Sequence, residues 1–166
     1  NYQTTSFEIF RQSLNDPDGL QSNTVHSFTQ SDNDTIWIGT HAGLHKYSMQ
    51  TRKFSHFGKT QGLIDERIIA LAVDNNDLWI GTFGSGLFKM DLQTQTISRY
   101  PAKNKKDNWL REDGISALTL DYEGTLWVGS FGGGLFRYNK STDNFSHYSH
   151  QTDDPLSITN NRVTHV

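Results

Sequence analysis

Apolar residues recur in short alternating runs along the chain, at Val25–Ser31, Thr35–Thr40, Gly43–Met49 and Lys53–Phe57, separated by Gly, Asn, Asp or Ser. Runs of this length, rich in β-branched and aromatic residues, predict strands, and no segment carries a period of 3.6. The first turn of each group is Asp32-Asn33-Asp34, Asn75-Asn76-Asp77 or Glu123-Gly124, residue types suited to a tight hairpin. The second turn is His41-Ala42-Gly43, Phe83-Gly84-Ser85-Gly86 or Phe131-Gly132-Gly133-Gly134, where glycine lets the backbone reverse. Each group therefore reads as a meander of four antiparallel strands, a to d.

The groups are repeats. Trp37-Ile38-Gly39-Thr40, Trp79-Ile80-Gly81-Thr82 and Trp127-Val128-Gly129-Ser130 are one motif three times over. Val25, Ile68 and Ile115 precede the three tryptophans at a near-constant interval, and Leu44, Leu87 and Leu135 follow them at another. The interval from each Leu to Phe57, Tyr100 or Tyr148 is identical in all three, so length variation is confined to loops. A four-stranded unit of this length buries its faces only against copies of itself, which predicts an all-β fold of β-propeller blades. The apolar run Ile68–Val73 suits strand a at the ring centre, covered on both faces. Trp37, Trp79 and Trp127, with Gly39, Gly81 and Gly129, are the expected structural core of the repeat.

The pattern extends to both ends. Phe7-x-x-Phe10 matches Phe54-x-x-Phe57, and Phe10 precedes Val25 by the same interval that separates Tyr148 from Val163. The expected organisation is an outer strand at 7–12, blades at 25–59, 68–102 and 115–150, and an inner strand at 161–166, making 14 strands. A ring takes four to eight blades, so the chain is expected to be part of a larger ring or to assemble with a second copy. Its start at Asn1 fits a processed product or an excised piece.

The residues Leu78-Trp79-Ile80-Gly81-Thr82 with Gly86-Leu87-Phe88, and Leu126-Trp127-Val128-Gly129-Ser130 with Gly134-Leu135-Phe136-Arg137-Tyr138, resemble the two-component regulator propeller repeat. Stretches 18–25 and 154–163 are similar to that family's inter-blade segment. The resemblance implies an extracytoplasmic, periplasmic sensor region of a bacterial receptor whose output domain is a histidine kinase or diguanylate cyclase. It also implies a polar ligand such as an oligosaccharide, bound without covalent chemistry. A pure interaction or dimerisation propeller is the alternative, and a propeller lyase a third.

Composition narrows the partners. Of 166 residues, 15 are Lys or Arg and 18 Asp or Glu, a net charge of -3, so no overall positive field favours nucleic acid. The longest apolar run, residues 68–73, is far short of a membrane span. Cysteine is absent, which excludes thiolate chemistry and disulfides. His41 and His45 straddle a turn and a strand, and His147 and His150 lie three apart, so no metal site is expected and no cofactor. His56 and His147 read as exposed on outer strands. Asp74, Asp77, Asp121 and Glu123 sit in first turns and are expected to bond local backbone; no pair has the arrangement of a glycosidase, so no catalytic residue is assigned.

Candidate ligand contacts lie on one end of the blades. The linker 103–111 joins strand d of one blade to strand a of the next, and such linkers share a face with the b–c turns. Trp109 beside Lys105 and Arg111 suits stacking on a sugar or holding an acidic group; Trp109 anchoring the linker between blades is the competing reading. His41, Phe83 and Phe131, at matching places in the b–c turns, form a second candidate ring at the same mouth, unless they only cap the core.

Overall fold

A computed structural model describes residues 7–13, 15, 16, 18–64, 67–100, 110 and 114–166. Three four-stranded antiparallel sheets follow one another along the chain. Blade 1 comprises β1 (Val25–Gln30), β2 (Thr35–Thr40), β3 (Gly43–Ser48) and β4 (Lys53–Phe57). Blade 2 comprises β5 (Ile68–Asp74), β6 (Asp77–Thr82), β7 (Leu87–Asp91) and β8 (Ile97–Tyr100). Blade 3 comprises β9 (Ile115–Leu120), β10 (Leu126–Ser130), β11 (Leu135–Asn139) and β12 (Asn144–Tyr148). Each sheet is a simple meander, the topology set by short hairpins that only allow antiparallel neighbours. The molecule is an all-β propeller segment.

Two clusters of buried side chains fill the spaces between blades. Trp37, Leu44 and Phe57 of blade 1 meet Leu71, Ile80, Phe88 and Met90 of blade 2. Trp79, Leu87 and Tyr100 of blade 2 meet Val128 and Phe136 of blade 3 in the same way. The alternation of strand side chains sends one set forward and the next set backward, so each blade contributes to both of its interfaces.

The motif glycine has a packing cause. A Cβ on Gly39 would lie 2.8 Å from Cγ2 of Ile68, and one on Gly81 would lie 2.6 Å from Cγ2 of Ile115. The first residue of the following inner strand occupies the space a side chain would need. The motif hydroxyl acts equally locally. Thr40, Thr82 and Ser130, all fully buried, donate to the carbonyls of Gly43, Gly86 and Gly134. They also accept the amides of Ala42, Ser85 and Gly133, which clamps each b–c turn. The exchange of Thr for Ser in blade 3 preserves both bonds.

Twelve strands form ladders among the described residues, where the sequence predicts fourteen. Residues 7–12 and 161–166 have no sheet of their own to join. They nevertheless stand in blade positions. Phe10 packs on Tyr47 and Phe54 at 5.0 and 5.4 Å, as Tyr100 packs on Tyr138 and Phe145 at 6.1 and 5.6 Å. Val163 Cγ1 lies 3.0 Å from the Cβ position of Gly129, the relation Ile115 has to Gly81.

Two further expectations change. His56 is half-buried, with both ring nitrogens out of contact with solvent, because it faces His45 edge-on across β3 and β4 at 4.8 Å. Asp74 and Asp77 form ion pairs: Asp74, which also accepts the Asn75 side-chain amide, pairs with Lys140 of blade 3 at 2.7 Å, and Asp77 with Lys89 at 3.0 Å. Asp121 keeps the expected role, accepting the amides of Glu123 and Thr125 and the Trp127 indole N–H. These donors, the indole foremost, hold its carboxyl below the ordinary carboxylate range.

Candidate functional site

The mouth is assembled where each b–c turn meets the linker entering its own blade. The amides of His41, Phe83 and Phe131 donate to the carbonyls of Thr24, Arg67 and Gly114, at 3.1, 3.0 and 2.9 Å. Turn and linker are thereby tied together on one face, as their connectivity requires.

A bulge recurs beside these bonds. The pairing of inner strand a with strand b shifts between Val25 and Ser27, between Ile68 and Ala70, and at the matching place between Ile115 and Ala117. The extra residue of a bulge is re-aimed relative to the regular pleat. In blade 1 that residue is His26, and its ring meets His41 edge-on at 4.9 Å. Burial, then the neighbouring His41, lowers the pKa of His26 below its ordinary value.

The other two turns come together. Phe83, which is 45% exposed, and Phe131 have ring centroids 5.5 Å apart, and the guanidinium of Arg67 lies 4.1 Å from the centre of the Phe83 ring. This is a cation–π arrangement on an aromatic pair, held by backbone bonds on rigid blades. Of the three turn residues expected to form a ring, Phe83 and Phe131 therefore share one cluster, while His41 pairs with His26. Trp109, Arg111 and Lys105 lie outside the described residues.

Sequence reasoning missed the linker anchors. Leu20, Leu63 and Leu110 are buried, and each stands five residues before the first residue of its inner strand, with Ile158 at the same offset from Val163. That fixed spacing was available in the repeat alignment. Near the end of linker 103–111 the residue at that spacing is the buried Leu110. Arg67 and His26 also escaped notice, since neither belongs to the repeated motif; only the bulge and the turn packing bring them to the mouth.

Two of the three motif tryptophans are core, whereas Trp127, expected to join them, is half-buried because no complete blade follows blade 3 among the described residues. Trp37 and Trp79 are almost fully buried, and each of the three faces a cation on the neighbouring strand: Lys46, Lys89 and Arg137 at 5.9, 5.5 and 5.8 Å. Among the described residues, no group of three or more His, Asp or Glu side chains gathers to hold a metal ion, and no helix is long and apolar enough to cross a membrane.

The family model described as "Two component regulator propeller" matches residues 19–42 and 62–84, the first two linker-to-turn units. Over those two units the chain is similar to two-component regulator propeller repeats. Among solved structures, the propeller is similar to the extracellular domain of BT4673 from B. thetaiotaomicron, described as a one component or hybrid two component system. The identity is 27% and the TM-score 0.72, over 90% of this chain and 19% of that one. The extracellular domain of BT3049 from B. thetaiotaomicron, also described as a hybrid two component system, matches at 24% identity with a TM-score of 0.71, over 90% of this chain and 20% of that one. Virginiamycin B lyase from Staphylococcus aureus shares the fold alone, at 15% identity and a TM-score of 0.61, over 81% of this chain and 45% of that one. The chain thus spans about a fifth of the length of the extracellular domains it matches. No curated protein matches the sequence. The propeller is related to extracellular regions of two-component signalling systems, and that relation is consistent with sensing.

Proposed function

We propose that this propeller segment is part of the ligand-sensing region of a bacterial signalling receptor, on the periplasmic side of the membrane. It binds a polar ligand such as an oligosaccharide at the mouth formed by its b–c turns and linkers. The observation that carries the reading is the Phe83–Phe131 pair with Arg67 stacked on it. An exposed aromatic platform suits the apolar face of a sugar ring, and a guanidinium at its edge suits hydroxyl or carboxylate oxygens. Trp109, Lys105, Arg111 and His41 are further contacts in this reading. The propeller performs no chemistry: ligand binding favours one arrangement of the receptor over another, and a kinase or cyclase output domain responds.

Calorimetric titration of the intact extracellular region against a panel of oligosaccharides tests this. Binding without turnover, weakened about tenfold by Phe83→Ala or Phe131→Ala, is the expected result. Trp109→Ala is expected to lower affinity with little change in melting temperature; a large melting shift with unchanged affinity would make Trp109 an anchor. Turnover of any glycan would favour the lyase reading.

A scaffold reading has one observation of its own. The face of blade 1 turned away from blade 2 carries an apolar hollow of about 330 Å³ lined by Phe10, Leu20, Val25 and Phe28, with Phe28 76% exposed. A glycan panel that gave no binding, with a stable dimer through this face, would favour it.

A further inference from the structure

One position of the repeat departs from its counterparts in a way that packing does not require. Strand c of blades 2 and 3 places Phe88 and Phe136 against the preceding blade, opposite Arg99 and His147 on strand d. Blade 1 has His45 there, opposite His56. A phenyl ring fills this place in two blades, so an imidazole is not needed to fill space.

His45 is fully buried, and its Nε2 accepts the backbone N–H of Gln21 at 3.2 Å. A peptide N–H only donates, so this bond exists only while Nε2 carries a lone pair. The remaining ring hydrogen sits on Nδ1, which is out of contact with solvent. His56 stands edge-on to it, the two ring planes at 88°, and neither His56 nitrogen has a partner. Protonating Nε2 would set two donors head to head and bring a charge into an apolar site.

Gln21 belongs to the linker that leads to the mouth. Leu20 beside it is buried, and the Thr24 carbonyl three residues on accepts the amide of His41. We propose that blade 1 carries an acid-sensitive latch, in which neutral His45 holds linker residues 19–24 against the blade and proton uptake at His45 releases them.

The surroundings set the sign. On β4 the titratable group facing His45 is His56; on β2 its cross-strand partner is Ile38; and the linker offers Leu20 and the Gln21 amide. Burial disfavours a proton most, and His56, among the described residues the only charge-bearing group that moves this titration, disfavours it further. The backbone at Gly43 and Ile38 opposes them only in part, and the His45 pKa falls from 6.5 to about 4. Between those values the released state binds more protons than the latched state. Latching is therefore complete above about pH 6.5 and weakens as the pH falls toward 4.

Hydrogen exchange of the intact extracellular region, followed by mass spectrometry from pH 7.5 to 4.5, tests the latch. After correction for intrinsic rates, protection of peptides covering 19–24 is expected to fall about tenfold per pH unit below roughly pH 6. The linker peptide preceding blade 2 should show no such fall, since Phe88 stands at the matching place. In the His45→Phe variant the pH dependence at 19–24 should vanish. Equal pH dependence in wild type and variant would overturn the proposal. If His45→Phe does not fold, exchange at the imidazole C2 position of wild-type His45 decides the matter: a midpoint well below that of an exposed histidine supports the latch, and one near 6.5 overturns it.

Discussion

Trp79 and Trp127 hold the same place in the same motif, yet their surroundings differ. Trp79 lies between blades 2 and 3, in contact with Tyr100, Tyr138 and Phe145, and has no exposed surface. Trp127 is half-buried, stacked on Tyr148 of its own sheet and bordering a hollow of about 660 Å³ closed partly by residues 158–166. The indole N–H follows an opposite trend. Trp127 donates to Asp121, whereas the N–H of Trp79 has no partner and Asp74, at the matching place, pairs with Lys140. A motif residue in a propeller is thus fully buried only where the next blade also covers it, and full burial can leave its polar atom without a partner.

The largest expected effect separates these two tryptophans directly. Trp79→Ala should destabilise the 166-residue chain by about 3–5 kcal/mol in urea unfolding, and Trp127→Ala by roughly half as much. Equal losses would mean that burial by a neighbouring blade is not what makes the motif stabilising. Next, Gly81→Ala should cost about 1–3 kcal/mol, since its Cβ would fall within 2.6 Å of Ile115, while Gly132→Ala, with nothing within 4 Å, should be near neutral. Adding Ile115→Ala should recover part of the Gly81→Ala loss if the clash is the cause.

A smaller effect tests the polar seam at the outer edge of the same interface. Tyr100 and Tyr138 both donate to the Asp143 carboxylate, at 2.7 and 2.9 Å. Burial first, and these bonds second, raise both phenol pKa values above the ordinary 10.0. The unfolded chain then loses those protons first, so this contribution is present below about pH 10 and fades as the pH rises beyond it. Tyr100→Phe should flatten the alkaline limb of stability, and Asp143→Ala should cost about 1–2 kcal/mol at neutral pH. The smallest effect belongs to Lys140→Ala, about 0.5 kcal/mol or less, because the ammonium is half-exposed. A large loss there would show the ion pair to be a principal joint between blades 2 and 3.

Much of the fold was legible in the sequence for a local reason. Strand length, hairpin turns and the alternation of side chains are decided within a few residues, and three copies of one motif supplied three readings of each. The candidate site was less legible. Phe83 and Phe131 could be named from their turns, but Arg67 and His26 reach the mouth through a linker and a bulge that no motif marks. His45 looked like half of a failed metal spacing with His41; the fold turns it instead toward Gln21 and His56.

The sequence by itself determined the three meanders: their number in this stretch, their hairpin turns and the glycines that let the b–c turns reverse. Those features depend on backbone sterics and hydrogen bonds between neighbours in sequence. Only the tertiary structure decided which identical residues are buried, which polar atoms lose their partners and which turn residues meet. Most of those depend on a side chain from another blade, distant along the chain, that packing brings into contact.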